Sequence, residues 1–143
     1  MTATLETLAQ QLREHGHKLT QPRCAVLHAL LSTAKPLSPA EIQALGQGFC
    51  ADLGLVTVYR TLELMEEIEL VRPVHLADGC HGYVLATPGH THHVICERCH
   101  AVIEISGCGM GDFLNFVAER TGYRITGHWL EISGLCADCQ HIP

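Results

Sequence analysis

No apolar run in this 143-residue sequence is long and uninterrupted enough to cross a bilayer. The opening stretch, "MTATLETLAQQLREHGHK", is amphipathic and lacks the charged-then-apolar layout of a secretory signal. Neither secretion nor membrane spanning is expected, and the expected compartment is the cytoplasm. Positive charge is also scarce: nine Lys and Arg stand against fifteen Asp and Glu, a net charge of −6 with neutral His. That balance argues against coating nucleic acid by bulk electrostatics, while leaving room for a local DNA-reading surface. Internal repeats and low-complexity tracts are absent as well. What is plentiful is metal-ligating chemistry, with eight cysteines and eleven histidines. In a small secreted chain such cysteines would form a disulfide scaffold, whereas inside a cell they point to metal or redox chemistry. The hydrophobic content of 47% supplies a real core, and the length suits one ordinary domain or two very small ones.

The first half reads as helices with clear starts. Leu5, Leu8, Ala9 and Leu12 recur at helical spacing and stop at Gly16. Thr20 is placed to cap a second helix with Pro22 in its first turn and Val26, Leu27, Leu30 and Leu31 on one face. "SPAE" at 38–41 combines a Ser cap, Pro at the first helical position and Glu three residues after the cap. A fourth helix is expected from Thr57 to about Glu69, with Val58, Leu62, Met65 and Ile68 inward and Tyr59 and Arg60 outward. "LVRPVHL" and "CHGYVL" flank the turn signal "ADG" and predict a β-hairpin. This element order is that of a winged helix-turn-helix. After the hinge-like "ATPGHTH" come strand-like segments around Val94, in "AVIEI" and in "YRITGHWLEI", with a helix near "GDFLNFVAER". The expected fold class is α+β, a winged helix-turn-helix over residues 1–86, a hinge at 87–91 and a small α/β unit over 92–143. A unit of roughly 50 residues usually needs a staple.

Cys96-x-x-Cys99 and Cys136-x-x-Cys139 are two knuckles of the kind that place four thiolates around a tetrahedral ion, and zinc is the natural occupant. The competing reading is redox-active pairs or buried free thiols; a closed zinc site would leave these cysteines inert to mild alkylation. In "GHTHHVICERC", strand alternation sends His92 and His93 to opposite faces, so they are expected to serve different sites. His90 and His92 would form a four-ligand nitrogen and sulfur site if His128 and Cys108 approach them. His93 is expected to join Glu104, with His75, Cys80 or His81 from the hairpin. Cys24 and Cys50, without partner motifs, read as small apolar fillers, and no role is read for His15, His17, His28, His100 or His141. On the fourth helix, Thr57 as a cap would aim the helix N-terminus at phosphate, and Tyr59 and Arg60 are placed to reach bases or backbone in a major groove. An ordinary amphipathic helix with a packed tyrosine accounts for "TVYRTL" equally well.

The segments "GHKLTQPRCAVLHAL", "VTVYRTLELMEE", "HTHHVICERCHAVIE" and "GHWLEISGLCADC" resemble, in order and spacing, the ferric uptake regulator family of metal-dependent bacterial repressors. The resemblance implies a winged-helix DNA-binding domain hinged to an α/β dimerisation domain, acting as a homodimer on palindromic double-stranded operator DNA. It also implies a structural zinc at Cys96, Cys99, Cys136 and Cys139, and DNA contacts from Tyr59, Arg60 and Lys18. His90, His92 and His128 match three ligands of a dimerisation-domain metal site whose fourth is commonly a glutamate. The aligned position here is Gly111, and Cys108 is the expected substitute. At the hinge sensor site, Thr91 stands where many members have histidine and Leu85 is apolar at the usual hairpin ligand position, so His75 with Cys80 or His81 is expected to complete His93 and Glu104. Sulfur at a sensor favours zinc over iron or manganese, which points to the zinc uptake regulator branch, with one structural and one or two regulatory zinc ions per chain.

The expected mechanism is a population shift in which bound metal fixes the spacing of two DNA-binding wings. Alternatives within the family are iron- or peroxide-sensing regulators. Outside it stands a zinc-binding adaptor or storage protein. An enzyme is not expected, nor a small-molecule substrate, since the deaminase pattern of His-x-Glu followed by Pro-Cys-x-x-Cys is missing.

Overall fold

A computed structural model describes residues 3–76 and 79–143, and the chain divides into two compact units, Met1–Pro88 and Gly89–Pro143. Among the described residues no helix is long and apolar enough to cross a membrane.

The first unit opens with α1 (Leu5–Glu14), started by a reciprocal Thr4–Thr7 cap and closed where Gly16 takes φ +80°. Helix α2 (Gln21–Leu31) is capped by Thr20, whose hydroxyl accepts from the Arg23 N–H. Helix α3 (Pro39–Gly46) carries the full Ser38–Glu41 capping box. Their apolar stripes meet that of α4 (Leu55–Glu67) in one core built around Leu12, Val26, Leu27, Ile42, Leu62 and Met65.

Helix α4 spans Leu55–Glu67 and therefore does not open at Thr57. Gly54 occupies the cap position in extended conformation, and no side chain caps the helix. The buried Leu53 anchors the chain just before this point, so the turn into the helix is complete before Thr57, which becomes the third residue of the first turn. At the other end Glu69 adopts φ +58° while the Leu70 N–H reaches back to the Met65 carbonyl at 2.7 Å, stopping the helix two residues short of Glu69. Val58, Leu62 and Met65 are buried and Ile68 packs half-buried against them.

Strands β1 (Val71–His75) and β2 (His81–Leu85) form the antiparallel hairpin, with His75 opposite His81. Of the expected "ADG" turn, Ala77 and Asp78 lie outside the described residues, and Gly79 has φ +80°. Leu37 adds a one-residue bridge to Tyr83, and a Cβ on Gly82 would stand 2.5 Å from the Pro36 Cβ, so only glycine lets the hairpin lie against that segment.

In the second unit β3 (Thr91–Cys96) is central, antiparallel to β4 (Val102–Ser106) and parallel to β5 (Glu131–Gly134). Helix α5 (Gly111–Thr121), ended by left-handed Gly122, connects β4 to β5, and a short α6 (Ala137–Gln140) follows. The strand expected over "YRITGHWLEI" is thus reduced to its last part. The reason is register: β5 pairs His93 with Glu131, and β3 begins only at Thr91, so the stretch before Trp129 has no parallel partner strand within the unit. The burial here is thin. Among the described residues of this unit only His92, His93, Ile95, Cys96 and Cys139 are buried, while Phe113, Phe116, Tyr123 and Trp129 are exposed.

Candidate functional site

The Cys96-x-x-Cys99 knuckle leaves the end of β3 and turns back into β4. Its turn is closed by the Cys96 N–H to the Ala101 carbonyl and the His100 N–H to the Cys96 carbonyl, both 2.9 Å, with His100 at φ +60°. The second knuckle caps α6, with Cys136 at the cap and Cys139 within the helix. The four sulfurs lie within 4.8 Å of one another, and Cys99 Sγ stands 3.8 Å from Cys136 Sγ. Four thiolates at the zinc–sulfur distance of about 2.3 Å around a tetrahedral ion would be spaced by about 3.8 Å, so this donor set fits zinc.

The electrostatics separate the thiols. Cys96 is held down to about 6, first by the backbone N–H of Cys136, which reaches its sulfur at 3.4 Å, and then by that of Cys99, against opposing burial. Cys139 is pushed up to about 12, first by its side-chain hydrogen bond with Cys136 and then by burial. A divalent cation takes the place of the proton that such a cluster otherwise retains. Arg98, which no sequence motif marks, ties the knuckles together by donating to the carbonyls of Cys139 at 3.1 Å and Ile142 at 2.7 Å. The only sequence signal for it was its position inside the first knuckle.

A second cluster joins His90, His92, Cys108 and His128, again with all four ligand atoms within 4.8 Å. His128 Nε2 is its centre, at 3.0 Å from His90 Nε2, 3.4 Å from His92 Nε2 and 3.3 Å from Cys108 Sγ. Each imidazole presents Nε2, so three ring nitrogens and one sulfur converge on one point. Three nitrogens and one sulfur are a donor set of the kind zinc takes in its four-coordinate sites. His92 is buried on β3, whereas His90 and Cys108 are exposed, so the point is reachable from solvent. Gly111 is the first residue of α5 and offers no ligand.

His93 faces the other way. Opposite Glu104 in the β3–β4 ladder, it is buried and places Nε2 3.3 Å from Glu104 Oε1, which also accepts from the Thr91 hydroxyl at 3.5 Å. These two residues belong to neither four-residue cluster. In the first unit His75 and His81 meet edge to face at 4.6 Å across the hairpin, next to the exposed Cys80. Cys50 is buried and its thiol donates to Asp52 at 3.3 Å, whereas Cys24 is half-buried. His28, to which no role was given, stacks on exposed Phe49 with centroids 4.1 Å apart.

On the helical side Thr57, Tyr59 and Arg60 are exposed along the first two turns of α4. Lys18 is exposed in the α1–α2 connection, and the Arg23 guanidinium donates to its carbonyl at 2.7 Å. Arg23 was missed in the sequence because its partner is a backbone oxygen that no motif records.

The model of the ferric uptake regulator family matches residues 14–133. The ferric uptake regulation protein of Campylobacter jejuni is 32% identical over 139 residues, covering 96% of this chain and 88% of its own. The peroxide-responsive repressor PerR of Staphylococcus saprophyticus is 30% identical over 148 residues, covering 98% of this chain and 99% of its own. Among solved structures, a zinc uptake regulator complexed with zinc and DNA superposes with a TM-score of 0.77 at 28% identity, covering 98% of this chain and 97% of that one. These relatives carry ferric, peroxide and zinc names alike, so the metal is not decided by likeness. The chain belongs to the ferric uptake regulator family of metal-responsive transcriptional regulators and is not an enzyme.

Proposed function

We propose that this regulator is a zinc-responsive repressor which binds a palindromic operator as a homodimer and controls metal-uptake genes from the cytoplasm. The observation that carries the reading is the convergence of three imidazole nitrogens and the Cys108 sulfur on one reachable point. Sulfur with imidazole suits zinc, whereas iron(II) and manganese prefer sites richer in carboxylate. On this reading Cys96, Cys99, Cys136 and Cys139 hold a structural zinc, because four thiolates leave no open coordination position. His90, His92, Cys108 and His128 hold a regulatory one. His93 and Glu104, and the hairpin residues His75, Cys80 and His81, are the candidates for a further regulatory site.

His90 follows directly on Gly89, where the second unit begins. Metal at His90 therefore fixes the chain at the point where it passes from one unit to the other, and ordering there shifts the population of DNA-competent dimers. A tenfold to hundredfold gain in DNA affinity requires only about 1.4 to 2.8 kcal/mol of coupling. Lys18, Thr57, Tyr59 and Arg60 supply the DNA surface, Thr57 as a first-turn hydroxyl.

The second reading, an iron or peroxide sensor, is favoured by one feature: the His93–Glu104 pair is a nitrogen and oxygen set suited to a harder metal. Fluorescence anisotropy on DNA from the protein's own promoter region, titrated against buffered free zinc with ferrous iron and manganese in parallel, decides between them. Saturable binding that appears with zinc alone is the expected result. Activation by iron or manganese without zinc overturns the zinc assignment, and no DNA binding with any metal overturns the repressor reading in favour of a zinc-binding adaptor.

A further inference from the structure

Between the start of α2 and the first turns of α4 lies a cleft of about 240 Å³ lined by Thr20, Pro22, Arg23, Thr57, Arg60 and Thr61. Two Thr-x-x-Arg pairs form it: Thr57 and Arg60 share one face of α4 through their three-residue spacing, while Thr20, the cap of α2, is tied to Arg23 by accepting from its backbone N–H. Among the described residues no carboxylate lines the cleft. In a chain of net charge −6 with only nine Lys and Arg, two guanidinium groups at one small cleft without an acidic partner in its wall make a local site for an anion.

Resting on the DNA-binding reading above, we infer that this cleft seats one backbone phosphate of the operator, with Arg23 and Arg60 supplying the charge and Thr20 and Thr57 the hydroxyl donors. The guanidinium fork matches phosphate oxygens in geometry as well as charge. Arg23 spends one of its N–H groups on the Lys18 carbonyl, which holds the guanidinium in place and keeps donors for a ligand. The Thr20 oxygen accepts from the Arg23 backbone N–H at 3.5 Å, so its O–H is left to donate. Thr61 is buried and forms the wall beneath.

The seat divides labour along α4. Arg60 belongs to the cleft between the helices and positions the protein on the backbone, whereas Tyr59, 47% exposed and outside the cleft, is the side chain presented to base edges. Thr20 and Arg23, on a helix that carries no recognition residue, thereby become direct DNA contacts.

The test is anisotropy with the metal-loaded, full-length dimer on an operator palindrome and on an unrelated duplex across a salt series. Arg23→Gln is expected to weaken binding to both duplexes by the same factor, about tenfold or more, since a charged hydrogen bond is lost. The slope of log affinity against log salt should become shallower by about one for each half-site. Arg23→Lys should keep the slope. Thr57→Val, which leaves Arg23 and the Lys18 loop untouched, should cost about threefold on both duplexes with the slope unchanged, and it decides the matter if Arg23→Gln melts too low to assay. An unchanged slope in Arg23→Gln, a loss confined to the operator, or a neutral Thr57→Val would overturn the phosphate seat while the wild type still binds DNA. A wild type that binds neither duplex with metal overturns the DNA-binding reading itself.

Discussion

Stripping metal from the four-thiol cluster should unfold the second unit and leave the first one standing. The magnitude follows from what each unit buries. Within a single chain, among the described residues of the second unit, the sole buried aliphatic side chain is Ile95, and Cys96 and Cys139 are the buried cysteines. Complete burial of an isoleucine contributes about 1.5 to 3 kcal/mol, while ordering the backbone costs about 1 to 2 kcal/mol for each residue. A structural zinc bound by thiolates contributes about 10 to 16 kcal/mol, as much as the whole stability of an ordinary domain, about 5 to 15 kcal/mol. The first unit has its own core of Leu12, Leu27, Ile42, Leu62 and Met65 and does not depend on that term. The assay is hydrogen exchange read by mass spectrometry at fixed dimer concentration, with and without a strong zinc chelator, and on Cys139→Ser. Amides of β3 and β5 should lose protection while those of α2 and α4 keep it. Protected β3 and β5 amides in protein shown by elemental analysis to be metal-free would refute the reasoning, because apolar burial would then suffice.

Other outcomes follow from single side chains. Cys108→Ala removes one of four converging ligands; its effect on zinc affinity at the second cluster, read by competition with a chelating dye, should exceed the roughly 10- to 100-fold typical of losing a mere supporting partner of a ligand. Tyr83 is raised above its ordinary value by burial first and then by Glu66, Tyr59 and Glu63. A raised folded value means that its contribution is full below about pH 10 and is lost as pH rises beyond that. Tyr83→Phe should therefore flatten the alkaline fall in first-unit melting temperature. Glu69 holds a left-handed φ of +58° at the end of α4, so Glu69→Gly should stabilise the first unit by about 0.5 to 1 kcal/mol in denaturant melts.

Features written in consecutive residues could be read directly. Ser38, Pro39 and Glu41 announce α3, Thr20 and Pro22 announce α2, and the runs around Gly79 announce the hairpin, because capping and turn chemistry act over three or four positions. The start of α4 escaped for the same reason in reverse. Gly54 caps without a side chain and leaves no signal, and the nearest hydroxyl, on Thr57, lies inside the helix. The overlong strand over "YRITGHWLEI" shows a different limit: its alternation is strand-like, yet a strand also needs a partner in register, and that depends on where β3 begins. Arg98 and Arg23 act on backbone carbonyls, of Cys139 and Ile142 and of Lys18. Such contacts are set by tertiary geometry and leave no pattern in side-chain identity.

The two units differ in what holds them, and that difference is what a metal sensor requires. A unit with a full apolar core responds little to a ligand, since binding adds to a state already populated. One whose few buried groups include the candidate ligands themselves, His92, Cys96 and Cys139, would have its order tied to occupancy. Within that unit the clusters differ in access. The thiol cluster has Cys96 and Cys139 buried, so on the proposed reading an ion held there would exchange slowly. The nitrogen and sulfur cluster keeps His90 and Cys108 exposed, so its occupancy can follow the free metal concentration. Both sit on β3, whose residues 92 and 96 belong one to each cluster. On the proposed reading, the strand that a structural ion would order is therefore the one that presents the regulatory ligands. Loss of the first ion should abolish response at the second, but loss of the second should leave the first in place.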